Sequence, residues 1–274
     1  MKLKGQVVLI TGGAEGIGAA CVHEMAARGA HISILDLQQS VEPVPQGVLF
    51  TLGDVTDHRD RELFVERSLA HFGSIDILLN NAGVGLYETV QTSSLNLPRR
   101  LFDINLFAPL ALAQLVIPVL SAKRSGAIVN IASIAAGVAL PWAPMYCASK
   151  AAIQCLSESM RRELGRYGVR VITVTPAVVD TQFRSHVLAG VPPMRVAAMR
   201  GIPPARLARA ICQKLEGRGS WVIEPWYGRV FALANQIAPW FIDWYIENRW
   251  HEQIEVPPAE NPPAEKTIRE RLPR

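Results

Sequence analysis

The sequence predicts an α/β fold, with a parallel sheet of about seven strands between helices on both faces. Short β-branched runs recur along the 274 residues, longer helical patterns separate them, and the runs are apolar almost throughout. Strands without a polar face are buried on both sides, as in a parallel sheet covered by helices. The alternation of strand and helix therefore predicts repeated βαβ units and a doubly wound sheet.

Each predicted strand is a short apolar run bounded by turn residues. The runs are VVLIT (7–11), HISILD (31–36), VLFTL (48–52), IDILLN (75–80), AIVNIAS (127–133), VRVITVT (169–175) and WVI (221–223). Helical spacing of apolar residues predicts helices over 17–28, 57–72, 94–121, 145–167 and 204–217. The segment LQQSVEPVPQ, between Asp36 and Gly47, contains two prolines and is expected to be a loop.

Composition argues against several classes of protein. Lys and Arg number 28 against 24 acidic residues and form no dense basic run, so no nucleic-acid partner is expected. The histidines are scattered, which predicts no metal site, and no GxSxG motif indicates a hydrolase. No signal peptide and no uninterrupted apolar run of roughly 18 residues is present. Cys21, Cys147, Cys155 and Cys212 form no CxxC pair, which predicts a reduced, cytoplasmic setting.

The turn between the first predicted strand and helix, TGGAEGIG (11–18), is suited to an anion. Its glycines let the backbone approach a pyrophosphate, and the helix N-terminus offers unpaired N–H groups and a positive dipole end. The second strand ends at Asp36, where a carboxylate can bind the adenosine ribose hydroxyls and repel a 2′-phosphate. Because Glu15 adds negative charge and no Lys or Arg lies nearby, the cofactor is predicted to be NAD rather than NADP.

The stretch SIAAGVALPWAPMYCASKAAI (133–153) brings a hydroxyl, a phenol and an ammonium into a largely apolar segment. Tyr146 and Lys150 are four residues apart and share one helix face, where an ammonium favours the phenolate. Oxidation of an alcohol needs a group that removes the hydroxyl proton while hydride leaves the carbon. Ser133, at a strand end, can hydrogen-bond the substrate oxygen. Cys147 is interpreted as a packing residue because no histidine lies near it in sequence.

Four motifs in this order resemble those of the short-chain dehydrogenase/reductase family. They are TGGAEGIG (11–18), GDVTD (53–57), NNAG (80–83) and YCASK (146–150), in register over about residues 4–225. The resemblance implies a Rossmann-type fold and an NAD-dependent alcohol dehydrogenase or ketone reductase. It also implies a homodimer or homotetramer that pairs through the helices predicted over 94–121 and 145–167.

The resemblance assigns roles to individual residues. Tyr146 would be the general acid/base, Lys150 its activator and a ligand of the nicotinamide ribose, Ser133 the substrate orienter, and Asn105 a proton relay through water. Asp54 would bind the adenine amino group. The full set of implied cofactor ligands is Gly12, Gly16, Ile17, Gly18, Asp36, Asp54, Val55, Asn81, Ala82, Tyr146, Lys150, Pro176, Val179 and Thr181. Ala177 stands where the family usually carries glycine, beside the nicotinamide.

The chain is divided into a dinucleotide-binding and catalytic domain (1–228), an aromatic helical extension (229–250) and a proline- and charge-rich tail (251–274) that is expected to be disordered. Residues 177–203 have little periodicity and predict a mobile lid. The extension could cover the substrate cleft or a neighbouring subunit, which would favour a bulky hydrophobic substrate such as a steroid, retinoid or fatty-chain alcohol. It could also lie on a membrane.

A different class of function remains open at this point. A catalytically silent dinucleotide-binding sensor or scaffold would share the glycine turn. Such a module has no need of Ser133, Tyr146 and Lys150 together, so the sequence favours an enzyme.

Overall fold

A computed structural model describes residues 1–40 and 43–250, so the predicted tail at 251–274 lies outside the described residues. One parallel sheet holds seven strands in the order β3-β2-β1-β4-β5-β6-β7. The strands are β1 Val7–Thr11, β2 His31–Asp36, β3 Leu49–Leu52, β4 Ile77–Asn80, β5 Gly126–Ile131, β6 Val169–Pro176 and β7 Trp221–Glu224. The predicted fold class is confirmed.

Helices cover both faces of the sheet. In the described part of the chain they are α1 Gly16–Ala27, α2 His58–Phe72, α3 Asn96–Phe102, α4 Ala108–Lys123, α5 Pro144–Leu164, α6 Met194–Ala197, α7 Pro204–Glu216, α8 Tyr227–Ile237 and α9 Pro239–Trp250. Shorter turns are a π-helical turn at Asp103–Phe107 and 3₁₀ turns at Ile134–Ala136, Gly165–Tyr167 and Gln182–Ser185.

Alternate residues of β1 show why both faces are covered. Val8 and Ile10 point to the side packed by α1 and α7, where Leu207 and Ile211 belong to the same apolar cluster. Val7 and Leu9 point to the other side and join the cluster packed by α2, α4 and α5. A strand buried on both faces has no polar side, which explains its continuous apolar sequence.

The helix predicted over 94–121 is one helical stretch, Asn96–Lys123, with the π-helical turn inside it. By length and composition this stretch could cross a membrane. Its residues Leu112, Val116 and Leu120 are fully buried in the core against the sheet, as in the core helix of a globular domain. The π-helical turn separates α3, at the rim of the sheet, from this core section.

Side-chain hydrogen bonds fix α5 to the sheet edge where the site lies. Asn80, at the end of β4, donates to the side chain of Asn130 on β5 at 2.8 Å. Asn130 donates in turn to Ser157 on α5, also at 2.8 Å. All three side chains are buried. Hydrogen bonds between buried side chains have fixed geometry, so this chain of contacts sets the position of α5 relative to β4 and β5.

The region predicted as a lid, 177–203, contains the 3₁₀ turn Gln182–Ser185 and the short helix α6. Its two ends meet in an isolated parallel bridge between Val179 and Ile202. The predicted extension falls within two helices, α8 and α9, which are separated at Ala238 before Pro239. Proline is favoured at the first position of a helix, which accounts for the restart there.

Candidate active site

The strand order reverses between β1 and β4, and a cleft of about 440 Å³ lies beyond the carboxyl ends of the strands. In open parallel sheets this reversal leaves a crevice between oppositely directed connections, where ligands bind. The cleft is lined by the glycine turn, the ends of β2, β4 and β5, the first turns of α5, and the segment that follows β6.

The glycine turn is built for close backbone approach. A Cβ on Gly18 would lie 1.8 Å from the Gly12 carbonyl oxygen, so only glycine fits there. Asn81 donates from its side-chain amide to the carbonyl oxygens of Thr11 and Gly12, at 3.1 and 2.7 Å. Glu15, at the N-cap of α1, makes no side-chain cap, which leaves the first N–H groups of the helix for a ligand. These features fit a dinucleotide pyrophosphate.

Acidic side chains surround the turn. Asp36 ends β2, and its carboxylate accepts hydrogen bonds from the Ala14 and Gln38 N–H groups, at 2.9 and 3.2 Å. Glu15 lies 2.6 Å from Nδ1 of His186, a contact that becomes an ion pair when His186 is protonated. His186 belongs to the segment after β6, so this contact joins the predicted lid to the glycine turn.

The far end of the cleft carries a hydrogen-bonded carboxylate. Asp54 Oδ1 accepts from the Thr56 N–H and hydroxyl, both at 2.8 Å, and Oδ2 accepts from the Arg100 guanidinium at 2.7 Å. Partial burial raises the pKa of Asp54, but these hydrogen bonds outweigh it and hold the pKa below its ordinary value. Three of about four acceptor positions are thereby used, which leaves room for one further donor.

The predicted hydroxyl, phenol and ammonium meet in the middle of the cleft. Ser133 follows β5 and caps a 3₁₀ turn, with its Oγ accepting from the Ala135 N–H at 3.1 Å. Its hydroxyl is close enough to the phenol of Tyr146 to lower the pKa of that phenol, although burial has the larger effect. Lys150 lies one turn further along α5, and its Nζ donates to the Ile131 carbonyl at 3.0 Å and lies 5.8 Å from the centroid of the Tyr146 ring.

Burial dominates the protonation of this pair. It raises the pKa of Tyr146 above its ordinary value and outweighs the opposing hydrogen bond from Ser133. It lowers the pKa of Lys150 to about 8. The sequence led us to expect a lowered pKa for Tyr146. The pKa is raised instead, because the cost of desolvating the phenolate is larger than the stabilisation that Ser133 gives it. At neutral pH Tyr146 is therefore protonated, the form that can donate a proton to a carbonyl oxygen.

Asn105 lies behind the cleft, in the π-helical turn Asp103–Phe107. Its side chain both accepts from the N–H and donates to the carbonyl of Val84, each at 3.0 Å, and donates to the Ser149 hydroxyl at 3.1 Å. Asn105 is buried and fixes the chain beside the NNAG motif. π-Helical turns are frequent at functional sites because they interrupt the regular backbone hydrogen bonds.

The structure brings most of the predicted site residues to one cleft. Those that line it are Gly12, Gly16, Ile17, Asp36, Asp54, Val55, Asn81, Ala82, Ser133, Tyr146, Lys150, Pro176, Val179 and Thr181. Gly18 and Asn105 do not line it: Gly18 lies beneath the turn, and Asn105 lies behind Val84. Cys147 is buried, and its Sγ accepts from the Leu140 N–H, as expected of a packing residue.

Sequence reasoning missed several residues of the cleft. Tyr87 and Phe183 line the cleft together with Trp142. The rings of Phe183 and Tyr146 lie 6.0 Å apart. Arg184 is close enough to Tyr87 to influence its pKa, which burial raises. No spacing rule could find these residues, although Tyr87 follows the NNAG motif by only four positions.

The predicted lid is held against the cleft by backbone contacts. Gly85 and Val187 form a parallel bridge, and the Tyr87 N–H donates to the Ala189 carbonyl at 3.1 Å. On the other side, Arg184 donates to the carbonyl that ends α6 and to the Met199 carbonyl. Gln182, Phe183, Arg184 and His186, which belong to this segment, form a wall of the cleft.

The family model described as short chain dehydrogenase matches residues 6–191. Two curated relatives are a D-threitol dehydrogenase from Mycolicibacterium smegmatis and an 11-beta-hydroxysteroid dehydrogenase-like 6 from Arabidopsis thaliana. The first is 36% identical and covers 76% of this chain and 82% of its own length. The second is 31% identical and covers 88% of this chain and 77% of its own length.

A solved structure has the same fold. It is a short chain dehydrogenase from Burkholderia cenocepacia J2315 in complex with NADP, with a TM-score of 0.78 and 26% identity. The alignment covers 90% of this chain and 99% of that chain.

Proposed function

This chain belongs to the short-chain dehydrogenase/reductase family, and from that membership we propose that it is an NAD-dependent alcohol dehydrogenase or ketone reductase for bulky, largely apolar substrates. The observation that carries the proposal is the meeting of Ser133, Tyr146 and Lys150 in a cleft that begins at the glycine turn. A silent binding module has no use for this combination.

The residues divide the chemistry between them. A bound nicotinamide would supply the hydride acceptor for oxidation of an alcohol and the hydride donor for reduction of a carbonyl. Ser133 holds the substrate oxygen by a hydrogen bond and keeps it beside the phenol of Tyr146. Tyr146 donates its proton to that oxygen in the reduction direction and removes it in the oxidation direction.

Lys150 supports the proton transfer. Its ammonium lies 5.8 Å from the Tyr146 ring centroid and favours the phenolate when the phenol gives up its proton. With a pKa of about 8, Lys150 is mostly charged at neutral pH but can release a proton at moderate cost. We propose that this proton exchanges with solvent along a water path beside Asn105, which holds the backbone of Val84 next to it.

The charges around the adenosine end support NAD. Asp36 is at the end of β2, where a 2′-phosphate would meet its carboxylate. Glu15 also lines the cleft and adds a second negative charge there. Its neighbour His186 offsets this charge only when the imidazole is protonated. The related structure with NADP is 26% identical, so cofactor choice must be measured on this chain.

Apolar walls support a bulky substrate. Trp142, Leu140, Phe183 and Val196 line the same cleft as Tyr146. The name of the 11-beta-hydroxysteroid dehydrogenase-like relative agrees with a bulky substrate for this chain. The name of the D-threitol dehydrogenase agrees instead with a small polyol. A panel of sterols, retinoids, long-chain alcohols and small polyols, followed by NADH absorbance, separates the two. Turnover of polyols alone would reject the bulky class.

Tyr146→Phe tests the mechanism. Removal of the phenol hydroxyl is expected to lower kcat by about 10²–10⁴-fold, the usual contribution of a general acid/base, while the variant still binds NAD. Tyr167→Phe is the control because Tyr167 is a tyrosine outside the cleft. If Tyr146→Phe kept wild-type turnover, the assignment of the general acid/base would be wrong.

We also propose a homodimer or homotetramer in the cytoplasm that pairs through the stretch Asn96–Lys123 and through α5. Phe107 is half exposed on the first of these elements, and Cys155 is exposed on the second. All four cysteines are unpaired, as expected in a reducing compartment. Light scattering coupled to gel filtration gives the assembly directly.

A further inference from the structure

The helices α8 and α9 expose an apolar surface, which we call the aromatic stripe. Its residues are Trp226, Tyr227, Val230, Leu233, Ile237, Trp240, Phe241, Trp244 and Tyr245. Along α8 they recur every three or four positions, and the same period continues into α9. Trp226, Ile237 and Trp240 are each more than 70% exposed.

The opposite face of α8 is the one that contacts the protein. A Cβ on Gly228 would lie 2.9 Å from the Ile134 side chain, and Ala232 packs against Gly137. Asn235 donates from its side chain to the Gly137 carbonyl at 2.9 Å. A surface helix normally buries its apolar side and exposes its polar side. Here glycine, alanine and asparagine contact the protein, and the exposed face of α8 carries the large side chains of Tyr227, Val230, Leu233 and Ile237.

The aromatic stripe is larger than the apolar patches of ordinary monomers. At about 200 Å² for each side chain, its six aromatic residues alone expose on the order of 650 Å². The largest patch on a typical monomer is roughly 300–600 Å² and is often functional. The aromatic stripe is therefore expected to contact another apolar phase.

The charged residues of α9 lie at the edges of the aromatic stripe. On a helical projection, Asp243 and Glu247 flank one edge and Arg249 flanks the other, and all three are exposed. Within the described residues, none of the Trp and Tyr side chains of the aromatic stripe makes a hydrogen bond. Indole and phenol groups combine an apolar ring with a polar tip, which is the chemistry of the bilayer interface.

From this arrangement we propose that the aromatic stripe docks onto a lipid bilayer, with α8 and α9 lying in its surface. The helices have 11 and 12 residues, too few to span a bilayer, which takes about 20. Headgroups and interfacial water can pair with the exposed N–H and O–H groups along the whole stripe. The dry centre of a contact between two copies would leave these groups unpaired, so a bilayer is the better occupant.

Docking would place the rim of the cleft at the membrane. Ile134 packs against Gly228 of α8 and also lines the cleft. On the proposed function, an apolar alcohol dissolved in the bilayer would then have a short path to Tyr146. Vesicle binding needs neither cofactor nor turnover, so the docking proposal and the proposed reaction fail separately.

Flotation of the full chain with vesicles tests the proposal. Vesicles of phosphatidylcholine alone and of phosphatidylcholine mixed with phosphatidylglycerol are compared. The wild-type chain is expected to float with both, and the double variant Ile237→Asp/Trp240→Asp to show at least tenfold weaker partitioning. The control is Val90→Asp/Leu95→Asp, because these residues are equally exposed apolar positions elsewhere. It should float like the wild type.

Each other outcome overturns the proposal. Absence of wild-type flotation with either lipid removes it. Flotation that needs the anionic lipid and survives Ile237→Asp/Trp240→Asp assigns binding to basic residues instead. If the wild type forms a larger oligomer than the double variant in lipid-free light scattering and does not float, the aromatic stripe is a contact between copies. Thermal melts establish that both double variants fold.

Discussion

The buried ammonium of Lys150 should make a contribution to the stability of the protein that increases with pH. Its side chain is 5% exposed, and burial lowers its pKa from an ordinary value of 10.5 to about 8. Between these pH values the unfolded chain binds a proton that the folded chain does not, so raising the pH favours folding. At 1.36 kcal/mol for each pH unit of difference, the full effect is about 3 kcal/mol, of which about three quarters falls between about pH 7 and pH 10.

Lys150→Met isolates this contribution. Methionine has a similar volume and no charge, and the loss of the hydrogen bond to the Ile131 carbonyl adds a cost that does not depend on pH. Urea unfolding at a fixed protein concentration gives the free energy of unfolding of both chains at each pH. The wild type should gain about 2–3 kcal/mol relative to the variant on going from about pH 7 to pH 10. If the two free energies change in parallel, Lys150 is not desolvated as described.

Three further changes probe the cleft. Asp36→Asn keeps an acceptor for the turn but removes the charge, so the NADP-to-NAD ratio of kcat/KM should rise on the order of tenfold; an unchanged ratio would place cofactor choice elsewhere. Arg100 donates to Asp54, the predicted adenine ligand, so Arg100→Ala should raise the KM for NAD about fivefold and leave kcat unchanged. Arg99→Ala is the control, because Arg99 is also exposed, and it should change neither value. Gly190 has a φ of +74°, and a Cβ there would lie 1.7 Å from the Tyr87 carbonyl oxygen. Gly190→Ala should therefore loosen the lid and raise the substrate KM about tenfold, with the Kd for NAD unaffected.

The sheet was predictable because its signal is local. Each strand lies within one or two residues of its predicted start and end, since a strand buried on both faces is an apolar run. The glycine turn and the Tyr146–Lys150 pair were likewise readable from short spacings. The predicted helix at 94–121 was correct as a helical stretch, but nothing in its sequence indicated the π-helical turn.

Contacts between distant segments could not be predicted. Arg100 reaches Asp54 across 46 positions, and His186, in the segment after β6, reaches Glu15 in the glycine turn, so neither pair has a spacing that a sequence pattern reveals. The protonation of Tyr146 was misjudged for a related reason. The effect of a lysine four residues away can be estimated from sequence, whereas the cost of burying the phenolate depends on the whole surrounding fold.

The π-helical turn at Asp103–Phe107 constrains the length of this stretch of chain. Successive residues of a helix are rotated by about 100° about the helix axis. Deletion of a single residue there would turn α4 by that angle, carry Leu112 and Val116 out of the interior and withdraw Asn105 from Val84. We therefore expect relatives that keep this architecture to tolerate substitutions in the turn far better than a gain or loss of one residue.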